Sequence, residues 1–561
     1  MFVRFAPALT IAALIGPIAA GVIGTLLPAF GYFPALAGRH FSLAPWHALF
    51  ASPGLVRSVL ITAFVGMATT AVSLTLVMAI FAAFDGTRQF RIIRRFVSPL
   101  LAMPHAALAI GLAFLIAPSG WLVRIAAWAG APIERPPDLL IVHDRLGLSL
   151  MAALIIKEMA FLFLMVLAAL PQSDGSRALT LARTLGYHPA VAWMKAVLPR
   201  VYPQIRLPVL AVLSYSLSVV DVALILGPTT PPPLPVLVLH WMNDPDLRLR
   251  FLAAAAALLQ LGLVVGAGLV WIALERNIIS LARPWLIDGQ RSGHEYATKV
   301  VAGAAVIVTA GAVLMLTTAL TLWSVAESWR FPEVLPPTLT LTNWQSQIGA
   351  APTPLVASLG IGALASGLAL VLTVGCLEHE VRFGRRVTQR ALWLLYAPLL
   401  VPQVAFLFGF DVVLAAIGID GGFGEVLAAH LLFVLPYVFL SLGDPWRAFD
   451  ERYRWTALCL GASPSRVLFR VRLPMLLRPL LTAAAVGFAI SVGQYLPTLV
   501  AAGGRIATLT TEAVGLSAGG DRRIVAVYAI LQMLLPALGF ALAVALPSLA
   551  FRDRRGMSTG A

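Results

Sequence analysis

Residues 185–199 read LGYHPAVAWMKAVLP, and residues 460–474 read LGASPSRVLFRVRLP. Both segments begin with Leu-Gly, carry a proline at their fifth position and end with Leu-Pro, so they match at a constant offset of 275 residues. Ala182 and Ala457 precede them at the same offset. Because a repeat at a fixed offset indicates a duplicated structural unit, the sequence predicts two homologous halves with one such segment each.

Each copy predicts a short helical hairpin. Gly461 suits the left-handed conformation that ends a helix, Ser463 can cap the next helix, and Pro464 fits that helix's first position. Apolar residues then recur at helical spacing on one face, and Leu473-Pro474 is expected to stop the helix. The apolar stripes comprise Pro189, Ala192, Trp193 and Ala196 in the first copy and Pro464, Val467, Leu468 and Val471 in the second.

The composition excludes most soluble classes of protein. Of the 561 residues, 60% are hydrophobic and 12% are charged, whereas a soluble globular protein carries about 25% charged residues. So few charges could not cover the surface of a soluble enzyme. Disordered chains are poor in apolar residues, so disorder is excluded as well. The composition is typical of a protein whose helices cross a membrane several times.

The predicted fold class is an all-α membrane protein with about 12 transmembrane helices in two homologous six-helix halves. The first half covers residues 1–275, a polar cytoplasmic linker covers 276–299, and the second half covers 300–561. The first apolar run is longer than that of a cleavable signal peptide, the alternative interpretation of the N-terminus. The spans lie at about 7–29, 56–83, 97–117, 147–170, 206–227, 250–274, 300–324, 355–377, 391–417, 425–443, 480–502 and 524–550. Within them, Pro104, Pro402 and Pro436 are expected to interrupt helices.

The positive charges predict an orientation. The chain has 40 Lys and Arg residues against 25 Asp and Glu, a net charge of +15. With the N-terminus inside, 28 of the 40 fall on cytoplasmic segments and 11 on the outer ones. Cytoplasmic loops of membrane proteins are enriched in Lys and Arg, so both termini are predicted to be cytoplasmic. The basic balance therefore does not indicate nucleic acid.

Two interpretations of the repeated hairpins compete. An amphipathic helix can dock into a groove of a partner protein or lie in the lipid headgroups. Two copies at matching cytoplasmic positions favour docking, and a two-fold protein would receive two identical partners. The residues predicted to form the docking surfaces are Ala182, Leu185, Gly186, Pro189, Trp193, Leu198 and Pro199 in the first half and Ala457, Leu460, Gly461, Pro464, Leu468, Leu473 and Pro474 in the second.

These loops resemble the EAA loop of permeases in binding-protein-dependent ABC importers. Both copies lack that motif's acidic residue, because Leu181 and Thr456 precede the alanines. The fused, duplicated form is similar to the thiamine and ferric-iron permeases and most similar to YnjC-type permeases. The narrower likeness rests on residues 216–223 (SLSVVDVA), Gly227-Pro228, Gln494-Tyr495, residues 497–499 and residues 508–514.

The resemblance implies a type I importer permease in the bacterial inner membrane. An extracytoplasmic binding protein would deliver a small solute, and this chain would move it by alternating access. Two copies of an ABC ATPase would dock on the loops and bind ATP and Mg²⁺, so the chain would need no catalytic residue, cofactor or metal. A P-loop requires Gly-Lys followed by Ser or Thr, and none of Lys157, Lys195 and Lys299 follows a glycine. Thiamine, ferric iron and other small solutes remain open.

Ionisable residues inside spans are rare because each costs about 2.5–3.5 kcal/mol on insertion scales. Glu158, Asp221, Gln494 and Tyr495 are candidates for the translocation path. The structural alternative is that Lys157 pairs with Asp221 or Glu158 inside the bundle. Three acidic residues in the spans against one lysine favour a cationic solute.

Two other classes of protein compete with the importer. A 12-helix secondary transporter driven by an ion gradient could use Asp221 and Glu158 as coupling sites, but it would not need a repeated pair of docking hairpins. A membrane-embedded enzyme would need clustered acids or histidines at one face of the membrane, and the sequence shows no such cluster.

Overall fold

The chain folds as a bundle of α-helices. The computed structural model describes residues 2–293, 295–384, 389–416, 418 and 421–551, without the side chains of residues 98 and 389–392. Within that part of the chain, β-strands are confined to one antiparallel pair, Ala326–Ser328 with Thr338–Leu339. The all-α membrane fold class is confirmed.

The helices of the two predicted halves follow one another in similar order. The first half contains Phe2–Ala29, Ala44–Ala51, Leu55–Phe84, Arg88–Ala102, His105–Ile116, Trp121–Trp128, Leu148–Ala169, Gly175–Thr184, Pro189–Ala192, Leu198–Ser218, Asp221–Leu226, Leu234–Met242 and Leu249–Ile287. The second contains Glu295–Val325, Thr342–Ser346, Pro352–Phe383, Gln389–Leu400, Gln403–Ala416, Phe423–Arg447, Glu451–Cys459, Pro464–Val467, Leu473–Met475, Leu477–Val492, Leu496–Ala502, Leu509–Ser517 and Arg522–Ala550. Short 3₁₀ turns cover Pro34–Leu36 and Pro171–Ser173, and π-helical turns cover Trp193–Val197 and Leu468–Arg472.

Eleven of the predicted spans are helices of suitable length and apolarity. Nine helices in the described chain could cross a membrane by length and composition. Two more spans are bent pairs, Trp393–Leu400 with Gln403–Ala416 at 92° and Pro464–Met475 with Leu477–Val492 at 77°. The first bend interrupts its span before Gln403, whereas the second lies at Leu476, where the hairpin joins helix Leu477–Val492.

The remaining predicted span, 206–227, is also divided. It corresponds to helix Leu198–Ser218 followed by the short helix Asp221–Leu226. The longer helix begins with the polar residues that follow the docking hairpin, among them Arg200 and Arg206. Its apolar part is therefore shorter than that of an unbroken span.

Two of the three prolines expected to interrupt helices do so. Pro104 separates helix Arg88–Ala102 from helix His105–Ile116, and Pro402 lies in the break before Gln403. Pro436 does not, because helix Phe423–Arg447 continues through it. The prediction was wrong there since neighbouring helices can compensate for one missing backbone hydrogen bond inside a membrane.

The two halves interdigitate. Helix Phe2–Ala29 of the first half packs on helix Gln403–Ala416 of the second. A Cβ atom at Gly21 would collide with the carbonyl oxygen of Phe406, and one at Gly409 would collide with the carbonyl oxygen of Gly21. The two helices thus cross backbone against backbone, an approach that glycine permits and that membrane helices often use to associate.

The exchange is reciprocal. Helix Glu295–Val325, the first of the second half, packs on helices Leu55–Phe84 and His105–Ile116 of the first half. The first helix of each half therefore packs against helices of the other half. The predicted division at residues 276–299 therefore does not separate two bundles, because the helices on its two sides pack into one.

A buried arginine fastens the halves at the end of the bundle opposite the hairpins. Arg124 is 3% exposed, and its Nη1 atom donates to the carbonyl oxygens of Arg330 and Glu333 at 2.7 and 2.9 Å. Its guanidinium carbon lies 5.0 Å from the centre of the Trp329 ring. Removing Arg124 would leave buried carbonyl groups without donors, so it supports the fold at this end.

We expect Gly21→Val to reduce the yield and the melting temperature of the assembled protein, because overpacking of this kind costs about 1–3 kcal/mol or more. Gly16→Val is the matched control, since Gly16 lies on the same helix and a Cβ atom added there would meet no atom within 4 Å. Thermal unfolding and size-exclusion chromatography of the two variants in detergent provide the measurement. Equal behaviour of the two variants would contradict the helix crossing.

Candidate functional site

The fifth span of each half is broken in the middle of the bundle. In the first half, helix Leu198–Ser218 ends and helix Asp221–Leu226 begins after two residues. In the second half, helix Leu477–Val492 ends and helix Leu496–Ala502 follows. Inside a membrane such breaks are tolerated where the freed backbone groups find partners or line a cavity.

In each half a buried glutamine helps to satisfy a carbonyl group freed at the break. Gln260 Nε2 donates to the carbonyl oxygen of Leu217 at 3.0 Å. In the second half, Gln532 Nε2 donates to the hydroxyl of Thr510 at 2.6 Å, and that hydroxyl donates to the carbonyl oxygen of Val492. Both glutamines lie on the last span of their half and are fully buried. The breaks are therefore built features that specific side chains support.

A cavity of about 170 Å³ lies between the two breaks and is lined by both halves. All four residues predicted for the translocation path line it. The polar lining side chains are His105, Lys157, Glu158, Tyr215, Ser218, Asp221, Gln403, Tyr437, Gln494 and Tyr495. In the described chain, no group of three or more His, Cys, Asp and Glu side chains could hold a metal ion.

Lys157 is held by backbone carbonyls. Its Nζ atom donates to the carbonyl oxygens of Leu100 and Leu101 at 3.1 and 2.8 Å, and also to that of Met103. Leu100 and Leu101 lie in the last turn of helix Arg88–Ala102, and Met103 follows its end. The Leu100 carbonyl also accepts from the Met103 amide at 3.3 Å, and Pro104, which has no N–H, supplies no helical donor there. The expected pairing of Lys157 with a carboxylate is not among its hydrogen bonds in the described chain.

The two carboxylates differ in their partners. Glu158 Oε1 lies 3.3 Å from His105 Nε2, and the His105 ring packs beside Tyr215 with their centres 4.8 Å apart. Asp221 is 8% exposed, and the described residues provide it with no ion-pair partner within 4.0 Å. Asp221 therefore places a buried carboxylate at the cavity wall.

His430 supports the break in the second half. Its ring nitrogens lie 2.7 Å from Ser491 Oγ and 2.8 Å from Thr498 Oγ1, so it bridges the helices on the two sides of the break. Gln494 Nε2 donates to the carbonyl oxygen of His430 at 3.4 Å. Gln494 Oε1 is buried and has no hydrogen-bond partner among the residues that the structure describes. His430 thus has a structural role, while Gln494 keeps an unused acceptor.

Sequence reasoning missed Tyr215, Tyr437 and His105 as cavity residues. Aromatic residues inside spans are ordinary core residues, so the two tyrosines carry no sequence signal of their own. His105 directly follows Pro104 at a predicted helix break, and a polar residue at such a position could have been identified as a candidate.

The first docking hairpin is anchored by aromatic packing. The Trp193 side chain is fully buried, and its ring stacks on Phe81 with their centres 5.8 Å apart. Phe81 in turn packs on Phe90 and Phe163 at 5.1 and 4.8 Å. Trp193 therefore fixes the hairpin to the bundle and does not present its ring to a partner.

The linker covers one side of the first hairpin. Lys195 Nζ lies 2.6 Å from Asp288 Oδ1, and this hydrogen bond holds the pKa of the Asp288 carboxyl below its ordinary value. The backbone amide of His188 donates to the carbonyl oxygen of Arg291 at 2.8 Å. Residues 288–291 thus pack beside the hairpin.

The second hairpin is anchored by charges. Arg472 is 3% exposed and pairs with Glu378 at 3.4 Å and Glu451 at 2.5 Å. Its guanidinium carbon lies 5.0 Å from the centre of the buried Trp446 ring. The position 275 residues earlier is Val197, so the two halves hold equivalent hairpins by different chemistry.

The Leu-Pro pair stops the hairpin helix in the second copy but not in the first. In the second copy the turn Leu468–Arg472 runs into helix Leu473–Met475, which ends one residue after Pro474, and the chain then bends by 77°. In the first copy a π-helical turn, Trp193–Val197, runs directly into helix Leu198–Ser218. The prediction was wrong there because π-helical turns occur as insertions inside helices, and a proline in the first turn after one loses little.

The hairpins nevertheless expose apolar side chains. Among the predicted docking residues, Leu185 is 62% and Leu460 83% exposed. Exposed apolar patches mark interaction sites. The other exposed docking residues are Gly186, Pro189, Pro199, Gly461 and Pro464; Leu198, Ala457, Leu473 and Pro474 are half-buried, and Ala182, Trp193 and Leu468 are buried. Further exposed apolar side chains in these loops are Leu181, Tyr453, Trp455 and Phe469.

Comparisons with known proteins agree with this arrangement. The family model for the binding-protein-dependent transport system inner membrane component matches residues 365–551. The chain is 34% identical to the inner membrane ABC transporter permease protein YnjC of Escherichia coli K12, over 89% of this chain and 90% of that protein.

Shorter similarities concern single permease units. The chain is 32% identical to the molybdenum transport system permease protein ModB of Mycobacterium tuberculosis, over 27% of this chain and 62% of that protein. It is 29% identical to the putrescine transport system permease protein PotI of Escherichia coli K12, over 27% of this chain and 57% of that protein. Because the similarity to YnjC extends over nearly all of both chains, this multi-pass membrane protein belongs to the ABC transporter permeases of binding-protein-dependent transport systems.

Proposed function

We propose that this chain forms the pore of an ATP-driven importer. An extracytoplasmic binding protein delivers a small solute to the outer face, and alternating access of the central cavity passes it to the cytoplasm. The observation that carries the proposal is the cavity itself, which both halves build at their broken fifth spans. In a two-half permease, a site at the interface between repeats near the bilayer midplane is the expected place for a solute.

Each docking hairpin receives one copy of an ABC ATPase in this proposal. Two features support it: the hairpins expose Leu185 and Leu460, and both are anchored firmly to the bundle through Trp193 and Arg472. A rigid, apolar projection suits docking into a groove. ATP and Mg²⁺ then bind to the ATPase subunits, and this chain contributes no cofactor.

The orientation follows from the charges. Because 28 of the 40 Lys and Arg residues fall on the segments that include both hairpins, we place the hairpins and both termini in the cytoplasm. Arg124 and its partners then lie on the outer side, facing the binding protein.

A secondary transporter remains the second candidate function. The observation that favours it is the presence of two buried carboxylates, Glu158 and Asp221, at the cavity, since intramembrane acids often couple solute movement to an ion gradient. The two candidates differ in their energy source.

We expect Leu185→Arg and Leu460→Arg each to weaken copurification of the ATPase by about tenfold, or about 1.4 kcal/mol, and the double variant to abolish it. A charge placed in an apolar contact must be desolvated without a partner. Leu341→Arg is the matched control, because Leu341 is as exposed as Leu185 but lies on the opposite face. If Leu341→Arg lost the ATPase equally, or the double variant kept it, the docking surfaces would be wrongly assigned.

Uptake should require ATP and no ion gradient. We expect proteoliposomes that contain the permease and ATPase, with ATP enclosed, to take up the solute from its loaded binding protein, and a protonophore to have no effect. Vesicles without the ATPase should show no uptake. Gradient-driven uptake in the absence of the ATPase would establish the secondary transporter instead.

A further inference from the structure

Lys157 is the one lysine or arginine in the described lining of the cavity, and all of its N–H donors are used. An ammonium group has three N–H donors, and Lys157 Nζ directs hydrogen bonds to three carbonyl oxygens, those of Leu100, Leu101 and Met103. Lys157 is therefore committed to the end of a broken helix. An anionic ligand in the cavity would find no unused lysine or arginine among the residues described there.

Asp221 differs from Lys157 in its partners. Its side chain is 8% exposed and lines the cavity, and no ion pair in the described chain includes it. His105, its titratable neighbour, places Nε2 3.3 Å from Glu158. The backbone amides of Val222 and of Asp221 itself donate to the carboxylate, so Asp221 presents to the cavity an acceptor that backbone amides orient and that no described ion pair neutralises.

Gln494 provides a second acceptor from the other half. It is 7% exposed and lines the same cavity. Its Nε2 donor is used by the carbonyl oxygen of His430, while its Oε1 atom is buried without a partner among the described residues. Buried polar atoms in native structures are almost always hydrogen-bonded. A ligand N–H group in the cavity would supply the partner that Gln494 Oε1 lacks.

The remaining lining limits the size and shape of that donor. Tyr215, Tyr437 and Tyr495 surround the cavity, and aromatic faces attract cations within about 6 Å of the ring centre. A dry cavity of about 150 Å³ holds benzene. The cavity of about 170 Å³ therefore suits a ligand of roughly six to ten non-hydrogen atoms.

We propose that the central cavity binds a small organic cation bearing N–H groups, a protonated amine or a guanidinium, with the Asp221 carboxylate as its counter-ion and Gln494 Oε1 as a second acceptor. The proposal rests on the importer function, because it assigns the chemical class of the solute that the pore admits. A quaternary ammonium ion would neutralise Asp221 but could not donate to Gln494, so it should bind more weakly.

The test is ligand-dependent thermal unfolding of the purified permease–ATPase complex. Agmatine serves as the N–H cation, choline as the quaternary cation, and butyrate and molybdate as anions. We expect agmatine to raise the melting temperature in a saturable way, choline to do so more weakly and the anions to have no effect. Asp221→Asn should raise the apparent Kd for agmatine about tenfold or more, Gln494→Leu should raise it less, and Asp221→Glu should retain binding.

Asp138→Asn is the matched control, because Asp138 is exposed and lies outside the cavity lining. The ligand-free melting temperature and ATPase copurification of each variant separate loss of binding from loss of fold. The proposal is overturned if agmatine gives no shift, if the shift persists in Asp221→Asn, or if an anion stabilises the complex equally. Its failure is distinct from failure of the importer function, which the ATP dependence of uptake decides without reference to agmatine.

Discussion

Every backbone carbonyl freed inside a membrane must find a donor, and this constraint organises the centre of the molecule. Helices are interrupted before Pro104 and Pro402 and in both fifth spans. Donors meet the carbonyls at these interruptions: the Lys157 ammonium after residue 100, Ser214 Oγ at Leu400 at 2.8 Å, and Gln260 at Leu217. Unsatisfied groups would cost several kcal/mol each in lipid. Of these donors Lys157 lines the cavity, while Ser214 and Gln260 support the interrupted helices from outside its lining.

The two halves share the positions of their helix breaks, but the side chains at those breaks differ. The fifth spans break at matching places, and a glutamine on the last span supports each break. Yet the residues that face the cavity from the two breaks differ, with Asp221 on one side and Gln494 on the other. The hairpins show the same pattern, since Trp193 anchors one and Arg472 the other. The hairpins and the cavity thus keep one backbone plan in the two halves and carry different side chains on it.

The sequence predicted the features that depend on local signals. The 275-residue repeat located both hairpins, Ser463 caps its helix as expected with the amide of Arg466 donating at 3.3 Å, and Gly461 adopts a φ of 82°. The partners of Lys157 could not be predicted, because backbone carbonyls at a helix break are not distinguished by residue type. The helix crossing at Gly21 and Gly409 could not be predicted either. In a membrane, a helix surface that packs on protein and one that faces acyl chains are similarly apolar.

The error at the first Leu-Pro pair has the largest mechanical consequence. If Leu198-Pro199 stopped the helix, a docked ATPase would act on a loop that is separate from the pore. Instead the hairpin continues through a π-helical turn into helix Leu198–Ser218, which is about 30 Å long at 1.5 Å per residue and ends beside Asp221. In the second half the equivalent path bends by 77° at Leu476. Movement of the first hairpin is therefore transmitted to the cavity wall along one continuous helix, whereas movement of the second must pass through a bend. Two identical ATPases acting on these hairpins would displace Asp221 and Gln494 unequally, which is the motion that separates the two acceptors of a bound ligand.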